Sequence, residues 1–187
     1  MNTTGQKKKV LITGASGLLG VAAVEKFLSA GWEVIGVSRR KPELPSGREI
    51  AFLSADLRDK QAARGAFESL TDVTHIAYTA IHEKPELVAG WSSKDQIEVN
   101  NAMLHNVVEP IVRTASNFQH ISILQGTKVY GVHLHPIPIP ARERDADKTM
   151  TTSSWITRNM YVKWGRGTRL TTRRFVHSSS PALLRAR

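Results

Sequence analysis

The sequence predicts an α/β fold, a doubly wound parallel sheet that is incomplete at its C-terminal side and is followed by an irregular basic tail. Two observations carry this prediction. Short apolar runs rich in β-branched residues alternate with helical segments over residues 1–140, which is the pattern of consecutive βαβ units. Glycines separate the first run from the first helix, where such a unit makes a tight turn. We expect the strand order 3-2-1-4-5.

The first βαβ unit is the clearest part of the pattern. An apolar run over Lys9–Thr13 predicts the first strand, and helical apolar spacing from Leu18 to Ala30 predicts the first helix. Gly31 stands where that helix is expected to stop, and Glu33–Val37 predicts the second strand.

The remaining elements continue the alternation. Strands are predicted at about Ile50–Ser54, at 119–125, and at 72–80, where a nearly continuous apolar run suits burial on both faces. Helices are predicted over 59–70 and, with a long amphipathic pattern, over 93–115. Three asparagines of the long helix are either buried polar supports or surface residues: Asn100, Asn101 and Asn106.

The pattern changes after the fifth strand. Prolines at 136, 138 and 140 favour extended chain, because residues before proline avoid the helical region. Residues 141–187 show no sustained period and hold 11 of the 26 Lys and Arg but only 3 of the 16 Asp and Glu. We therefore expect a folded domain over 1–140 and an irregular or disordered basic tail over 141–187.

Composition limits the function classes. The formal net charge is +10, yet residues 1–140 hold 15 basic and 13 acidic residues and are nearly balanced. The chain has no cysteine, and His133 and His135 alternate without a third ligand nearby, so we expect no metal site. The start "MNTTGQKKKV" lacks an apolar signal region, and no run approaches a membrane span. We expect a cytoplasmic protein that binds neither membrane nor nucleic acid.

The segment "TGASGLLG" carries the main functional signal. Gly14, Gly17 and Gly20 have the spacing G-x-x-G-x-x-G between a strand and a helix, the context of a dinucleotide-binding turn in a Rossmann-like fold. They would make the tight turn, let the backbone approach a pyrophosphate, and let helix and strand pack closely, while the helix N-terminus faces the phosphates. The alternative is a glycine-rich turn without a ligand. The cofactor-binding candidates here are Thr13, Gly14, Ser16, Gly17, Leu18 and Gly20.

The end of the second strand indicates which dinucleotide binds. NAD-binding folds usually place Asp or Glu there to hold the ribose 2′-hydroxyl. This chain has Ser38, Arg39 and Arg40 instead, and arginine pairs well with phosphate through its planar fork. We therefore predict NADP(H) as the cofactor. A solvated basic loop is the alternative.

Two further strand ends contribute candidates. After the third strand, Asp56 and Leu57 are placed to border the adenine, although Asp56 could equally cap a helix. After the fourth strand, Thr79 and Ala80 fall where dinucleotide folds line the cofactor crevice.

Several segments together carry a family resemblance. "LITGASGLLG", "SADL" and "LQGTKVYG" resemble the extended or atypical short-chain dehydrogenase/reductases. "NNAMLHNVVE" followed by "QHISILQGTKVYGVHLHPIPIPARERD" resembles the progesterone 5β-reductase/iridoid synthase-like enone reductases, over residues 8 to about 145. The resemblance implies a Rossmann domain with a smaller substrate domain, NADPH as cofactor, and hydride transfer to the C=C of an enone or a related carbonyl substrate.

The resemblance also assigns candidate catalytic residues. The catalytic lysine of that family maps onto Lys128, whose ammonium would lower the pKa of a phenol aimed at the enolate oxygen. Tyr130 lies two positions on and would share its face on a strand. It is a second catalytic candidate or a tyrosine packed beside the cofactor, while Lys128 could be a solvated lysine.

The family's own catalytic tyrosine follows "ARERD", and nothing after Asp145 matches that segment. One hypothesis is that the tail is truncated or translated out of frame, which leaves a non-catalytic NADP-binding remnant or regulatory module as the alternative function. Arginines interleaved with aromatic residues would otherwise favour single-stranded nucleic acid, but no fold supports that. The oligomeric state stays open, a homodimer included.

Overall fold

The computed structural model describes residues 7–84, 93–126, 130, 135–142 and 171–177. Six strands and three helices occupy these ranges. The strands are β1 Lys9–Thr13, β2 Glu33–Ser38, β3 Ala51–Ser54, β4 His75–Tyr78, β5 His120–Gly126 and β6 Thr171–His177. The helices are α1 Leu18–Ser29, α2 Lys60–Phe67 and α3 Lys94–Thr114.

All six strands form one parallel sheet in the order β3-β2-β1-β4-β5-β6. The predicted order 3-2-1-4-5 is confirmed for the first five strands. The chain adds β2 and β3 on one side of β1 and then returns to the other side of β1 to form β4. The direction of strand addition therefore reverses between β1 and β4, which makes this a topological switch point. Ligands of open α/β sheets bind outside the carboxyl ends of the strands at such a point.

One stretch of the predicted irregular tail differs from expectation. Thr171–His177 pairs along its whole length with β5, from His120↔Thr171 to Gly126↔His177. Without it, β5 would present unpaired N–H and C=O groups at the sheet edge, and such a row favours pairing. The segment TTRRFVH is rich in strand-forming Thr, Phe and Val, but it is too short to give the tail a visible period. The boundary between residues 140 and 141 stays a prediction.

Two apolar layers hold the sheet. One face packs on α2 and α3, where Phe67, Leu104 and Ile111 are almost fully buried. The other face packs on α1 through Val24 against Val10 and Ile12. Residues from alternate positions of a strand feed the two layers, which explains why the strands read as continuous apolar runs.

The helix boundaries follow local chemistry. α1 ends at a turn in which Gly31 has φ +76°, a conformation that glycine adopts without a Cβ penalty. α2 begins after Asp59, whose Oδ1 accepts hydrogen bonds from the backbone N–H of Gln61 (2.9 Å) and Ala62 (3.0 Å). The alternative that Asp56 caps this helix is therefore wrong.

No helix in the described part of the chain is long and apolar enough to cross a membrane.

Candidate functional site

A cleft of about 280 Å³ opens at the carboxyl end of the sheet, beside the switch point. It collects side chains and backbone from the ends of β1, β2, β3 and β4 together with one residue of α3. Its lining residues are Gly14, Ser16, Gly17, Val37, Ser38, Arg39, Arg40, Ala55, Asp56, Leu57, Arg58, Thr79, Ala80, Ile81, His82 and Met103.

The glycine turn after β1 forms the floor of the cleft. Gly14 has φ +72°, and a Cβ on it would lie 2.9 Å from the Cα of Ala80. A Cβ on Gly20 would lie 2.0 Å from the carbonyl oxygen of Gly14, a distance that no side chain tolerates. The predicted tight turn and the predicted close approach of helix to strand are therefore both present. The turn is closed by the hydrogen bond from Gly17 N–H to the Gly14 carbonyl, 2.9 Å.

The N-terminus of α1 presents backbone donors at the cleft. Gly17 is its N-cap, and within the described ranges no side chain caps it and no acidic residue lies in its first turn. In contrast, the Asp59 side chain caps α2. A helix end leaves several N–H groups without intrahelical partners and carries a partial positive charge, so an uncapped end that opens on a cleft suits an anion.

The turn after β2 contributes two arginines, Arg39 and Arg40, to the lining of the cleft. Ser38 is buried, and its hydroxyl donates to the carbonyl of Arg40 (2.7 Å). The hydroxyl of Ser54, the partner of Ser38 in the strand register, donates to the carbonyl of Arg39 (3.3 Å). These bonds fix the backbone that carries both arginines. The Ser38 hydroxyl therefore acts as a hydrogen-bond donor within the turn and stabilises it.

Asp56 and Arg58 form a bidentate ion pair on the cleft wall after β3. Arg58 Nε lies 3.0 Å and 3.1 Å from the two carboxylate oxygens, and one Nη donates to Oδ2 at 2.6 Å. The backbone N–H of Arg58 also donates to Oδ1, at 3.0 Å. Hydrogen bonding by Arg58, with a smaller contribution from the charge of Arg39, lowers the pKa of Asp56 to about 2.

Side chains of α3 hold the loop that follows β4. Asn100 Oδ1 accepts from the backbone N–H of His82 (2.8 Å) and its Nδ2 donates to the His82 carbonyl (2.7 Å). Gln96 Oε1 accepts from the backbone N–H of Lys84 (2.9 Å). At the other wall, buried Asn106 donates to the carbonyl of Leu57 (2.9 Å). Asn100 and Asn106 are therefore polar supports of the cleft.

A family model for the NAD dependent epimerase/dehydratase family matches residues 10–164, which is most of the chain. The chain belongs to the NAD dependent epimerase/dehydratase family. The match includes the glycine turn, the β2 and β3 strand ends and the Asn100 support, and it extends past residue 145, where the resemblance seen in the sequence ends.

Curated relatives of this family member include plant reductases. It is 30% identical over 132 residues to (S)-8-oxocitronellyl enol synthase CYC1 of Camptotheca acuminata, a match covering 67% of the chain and 31% of the relative. It is 31% identical over 126 residues to 3-oxo-Delta(4,5)-steroid 5-beta-reductase of Arabidopsis thaliana, covering 64% of the chain and 31% of the relative. The chain thus spans about a third of the length of these relatives. The resemblance to enone reductases is confirmed.

Solved structures of similar fold include epimerases. A UDP-glucose 4-epimerase superposes with a TM-score of 0.69 at 17% identity, covering 90% of this chain and 51% of that chain. The Bordetella bronchiseptica enzyme WbmH, solved in complex with NAD+, superposes with a TM-score of 0.65 at 20% identity, covering 95% and 61%. At these identities the likeness establishes the Rossmann-like fold alone.

The fold of this family member brings ten of the thirteen predicted cofactor residues into the cleft. The other three do not line it. Thr13 is fully buried beneath the turn, with its carbonyl accepting from the Thr79 hydroxyl (2.7 Å). Gly20 packs under Gly14, and Leu18, the first residue of α1, is 89% exposed to solvent. Whether the ten residues bind a cofactor stays a prediction.

The structure describes one of the two catalytic candidates. Lys128 lies outside the described residues. Tyr130 is described and buried, with 7% of its surface exposed, and it is not among the residues lining the cleft. Its burial agrees with the packing alternative, and its catalytic role stays a prediction.

Six lining residues were not predicted from the sequence: Val37, Ala55, Arg58, Ile81, His82 and Met103. Val37, Ala55 and Ile81 are neighbours of predicted residues at strand ends, so extending each strand end by one position would have found them. Met103 lies far away in sequence and gave no such signal. Arg58 lies two positions after Asp56 in "DLRD" and carries the opposite charge. That spacing could have indicated an ion pair with Asp56, but it was not used in the prediction.

Proposed function

We propose that this chain is the NADP(H)-binding part of a reductase that transfers hydride to the C=C of an enone. The observation that carries the cofactor preference is the position of Arg39 and Arg40. They line the same cleft as the glycine turn, at the strand end where an NAD-binding fold would place a carboxylate. A guanidinium pairs with a 2′-phosphate and gains nothing comparable from a 2′-hydroxyl.

The residues present fit a dinucleotide. Gly14 and Gly17 keep the floor of the cleft free of side chains, so a pyrophosphate can approach the backbone. The uncapped N-terminus of α1 supplies N–H donors for its oxygens. Asp56 and Leu57 line the wall of the cleft after β3, and Thr79 with Ala80 lines the wall after β4.

The substrate class rests on the relatives. The enol synthases and the steroid 5-beta-reductase are the curated proteins that this chain resembles at about 30% identity. The bound cofactor would supply the hydride. This chain's part is to hold the dinucleotide and, through Lys128, to place an ammonium that would lower the pKa of the phenol aimed at the enolate oxygen.

A second candidate function is a cofactor-binding module without turnover. The chain spans 31% of the length of the relatives named above, and the resemblance places the catalytic tyrosine after "ARERD". Binding and turnover are thus separable here. Both candidates predict NADPH binding, and only the reductase predicts substrate-dependent oxidation.

Titration with NADPH and NADH, followed by fluorescence, tests the cofactor preference. We expect tighter binding of NADPH, and Arg39→Asp is expected to reverse the preference by supplying a carboxylate for the 2′-hydroxyl. Arg64→Gln is the matched control, since Arg64 pairs with Glu68 on the surface of α2 at 2.7 Å and does not line the cleft. Equal affinities of the unmodified chain for the two cofactors would contradict the proposal.

NADPH oxidation with 2-cyclohexen-1-one separates the two functions. A reductase consumes NADPH only when the enone is present, and Lys128→Ala abolishes that consumption. Lys60→Ala, at the exposed first position of α2, is the control and should leave it unchanged. Binding without any enone-dependent oxidation identifies the module instead.

A further inference from the structure

We propose that Arg58 is a specificity-determining residue of the dinucleotide cleft: by neutralising the Asp56 carboxylate it allows a 2′-phosphate to bind beside Arg39 and Arg40. The inference rests on the proposed NADP(H)-binding function and deepens it. It concerns a residue that the strand-end pattern does not identify, because its effect passes through a second side chain.

The geometry of the pair is specific. Three hydrogen bonds join the guanidinium to the two carboxylate oxygens at 2.6–3.1 Å, and a fourth joins the Arg58 backbone N–H to Oδ1. Because the two residues are two positions apart, the same turn that brings Asp56 to the cleft brings its partner. Both residues line the cleft, with side-chain exposures of 47% for Arg58 and 35% for Asp56.

The charges around the cleft explain why the pair matters. Among its described lining residues, the permanently charged side chains are Arg39, Arg40, Asp56 and Arg58. Asp56 and Arg39 follow neighbouring strand ends, where the Ala55 N–H donates to the Ser38 carbonyl (3.2 Å). The charge of Arg39 contributes to the lowered pKa of Asp56, which is ionised at neutral pH. While the ion pair is intact, the charges of Asp56 and Arg58 cancel, and the cleft keeps the two positive charges of Arg39 and Arg40. Without Arg58, the carboxylate instead competes for those two guanidinium groups.

The consequence differs between the two cofactors. A phosphate monoester carries about −1.5 to −2 charges at neutral pH, while a ribose 2′-hydroxyl carries none. An unpaired Asp56 carboxylate therefore repels the 2′-phosphate of NADPH and competes with it for Arg39 and Arg40. NADH carries no charge at that position, so its binding is not affected in this way. Loss of Arg58 should lower the NADPH-over-NADH affinity ratio by about three- to five-fold, the upper part of the range of partly exposed charge interactions.

A purely structural role makes a different prediction. If the pair only shapes the turn after β3, removing Arg58 perturbs the whole adenosine end and weakens both cofactors together. The ratio of the two dissociation constants then stays unchanged. That ratio is the readout that distinguishes the two roles.

The experiment is a double-mutant cycle on the full chain with R58Q, D56N and the double variant, in which Kd for NADPH and NADH is measured at one fixed ionic strength. We expect R58Q to lower the ratio about three- to five-fold, and R58Q in the D56N background to leave it within about two-fold of D56N alone. Arg58→Lys keeps the charge and should retain most of the preference. Arg64→Gln removes the same charge from an ion pair outside the cleft and should leave the ratio unchanged.

The outcomes are distinct. An unchanged ratio in folded R58Q, or an equal drop in the D56N background, overturns the role of Arg58 while NADP(H) binding stands. An unmodified chain that does not favour NADPH overturns the proposed function and this inference together. If R58Q does not fold, comparison of D56N with the double variant and with Arg58→Lys decides the matter, because loss of the preference in Arg58→Lys contradicts the charge argument.

Discussion

The side chain of Asn100 on α3 satisfies both backbone hydrogen-bonding groups of His82, with N–H to Oδ1 at 2.8 Å and carbonyl to Nδ2 at 2.7 Å. The same Nδ2 donates to the carbonyl of Gln96, 2.9 Å away. One amide therefore joins a helix to the loop that forms a wall of the cleft. A loop without regular structure gains a fixed position in this way, which a nucleotide site needs.

Asn100→Ala should lower the free energy of unfolding by about 1–2 kcal/mol, because it leaves the partly buried N–H and carbonyl of His82 without these partners. Denaturation by urea measures the loss. Asn117→Ala, at an exposed position in the turn after α3, is the control and should change stability by less than about 0.5 kcal/mol. A loss for Asn100→Ala no larger than the control's would show that water replaces the clamp at no cost.

Two glycines in helices should respond in opposite directions to alanine. Gly20→Ala places a Cβ 2.0 Å from the Gly14 carbonyl oxygen, so α1 must shift, and we expect a loss of about 3 kcal/mol. Gly65 lies within α2 with nothing within 4 Å of an added Cβ, so Gly65→Ala should gain about 0.5–1 kcal/mol from helix propensity. Thermal unfolding of the two variants compares them directly, and a tolerated Gly20→Ala would contradict the close packing of turn and helix.

Sequence reasoning located the parts of the site that depend on local pattern. Gly14 and Gly20 were predicted because a tight turn and a close helix approach each require a residue without a Cβ. Arg39 and Arg40 followed from their position at the end of β2. The pattern named Asn100 but could not decide between a polar support and a surface residue, since its partner His82 is 18 positions away and contacts across that distance depend on how α3 packs.

The same limit applies to β6, the strand at the edge of the sheet. β6 joins β5 from 51 positions further along the chain, as the register His120↔Thr171 shows. Its pairing depends on which edge is available, and that is a property of the assembled sheet. Arg58 is a different omission, because it lies beside a predicted residue and the pattern gave no weight to charge compensation.

The Asp56–Arg58 pair should make the free energy of unfolding depend on pH in the acidic range. The pKa of Asp56 is lowered from 3.8 to about 2 in the folded chain. A lowered carboxyl pKa stabilises the folded state at pH values above the pKa that the group has in the unfolded chain. That contribution is lost as the pH falls from about 4 to about 2. Since both side chains are partly exposed, the contribution should stay below about 1 kcal/mol.

Urea unfolding without cofactor, from pH 5 downward, measures this effect as the difference between the unmodified chain and D56N. The difference should be largest at the upper end of that range and should shrink toward pH 2. R58Q should show the same shrinking difference, because either substitution removes the pair. A difference that grows as the pH falls would have the wrong sign for a lowered carboxyl pKa.

Two buried hydroxyls should respond differently to removal. Burial raises the pKa of Tyr78, and within the described part of the chain its hydroxyl has no hydrogen-bond partner. Tyr78→Phe removes a desolvated polar group without breaking a bond, so stability should hold or rise by about 1 kcal/mol. The Thr74 hydroxyl, in contrast, donates to the Lys9 carbonyl (2.9 Å) and accepts from the Lys9 N–H (3.0 Å). Thr74→Val keeps the shape but breaks both of these bonds and the contact of the hydroxyl with His75 Nδ1 (2.8 Å), so it should lose about 1–3 kcal/mol. A comparable loss for Tyr78→Phe would mean that the tyrosine hydroxyl is satisfied by a partner outside the described residues.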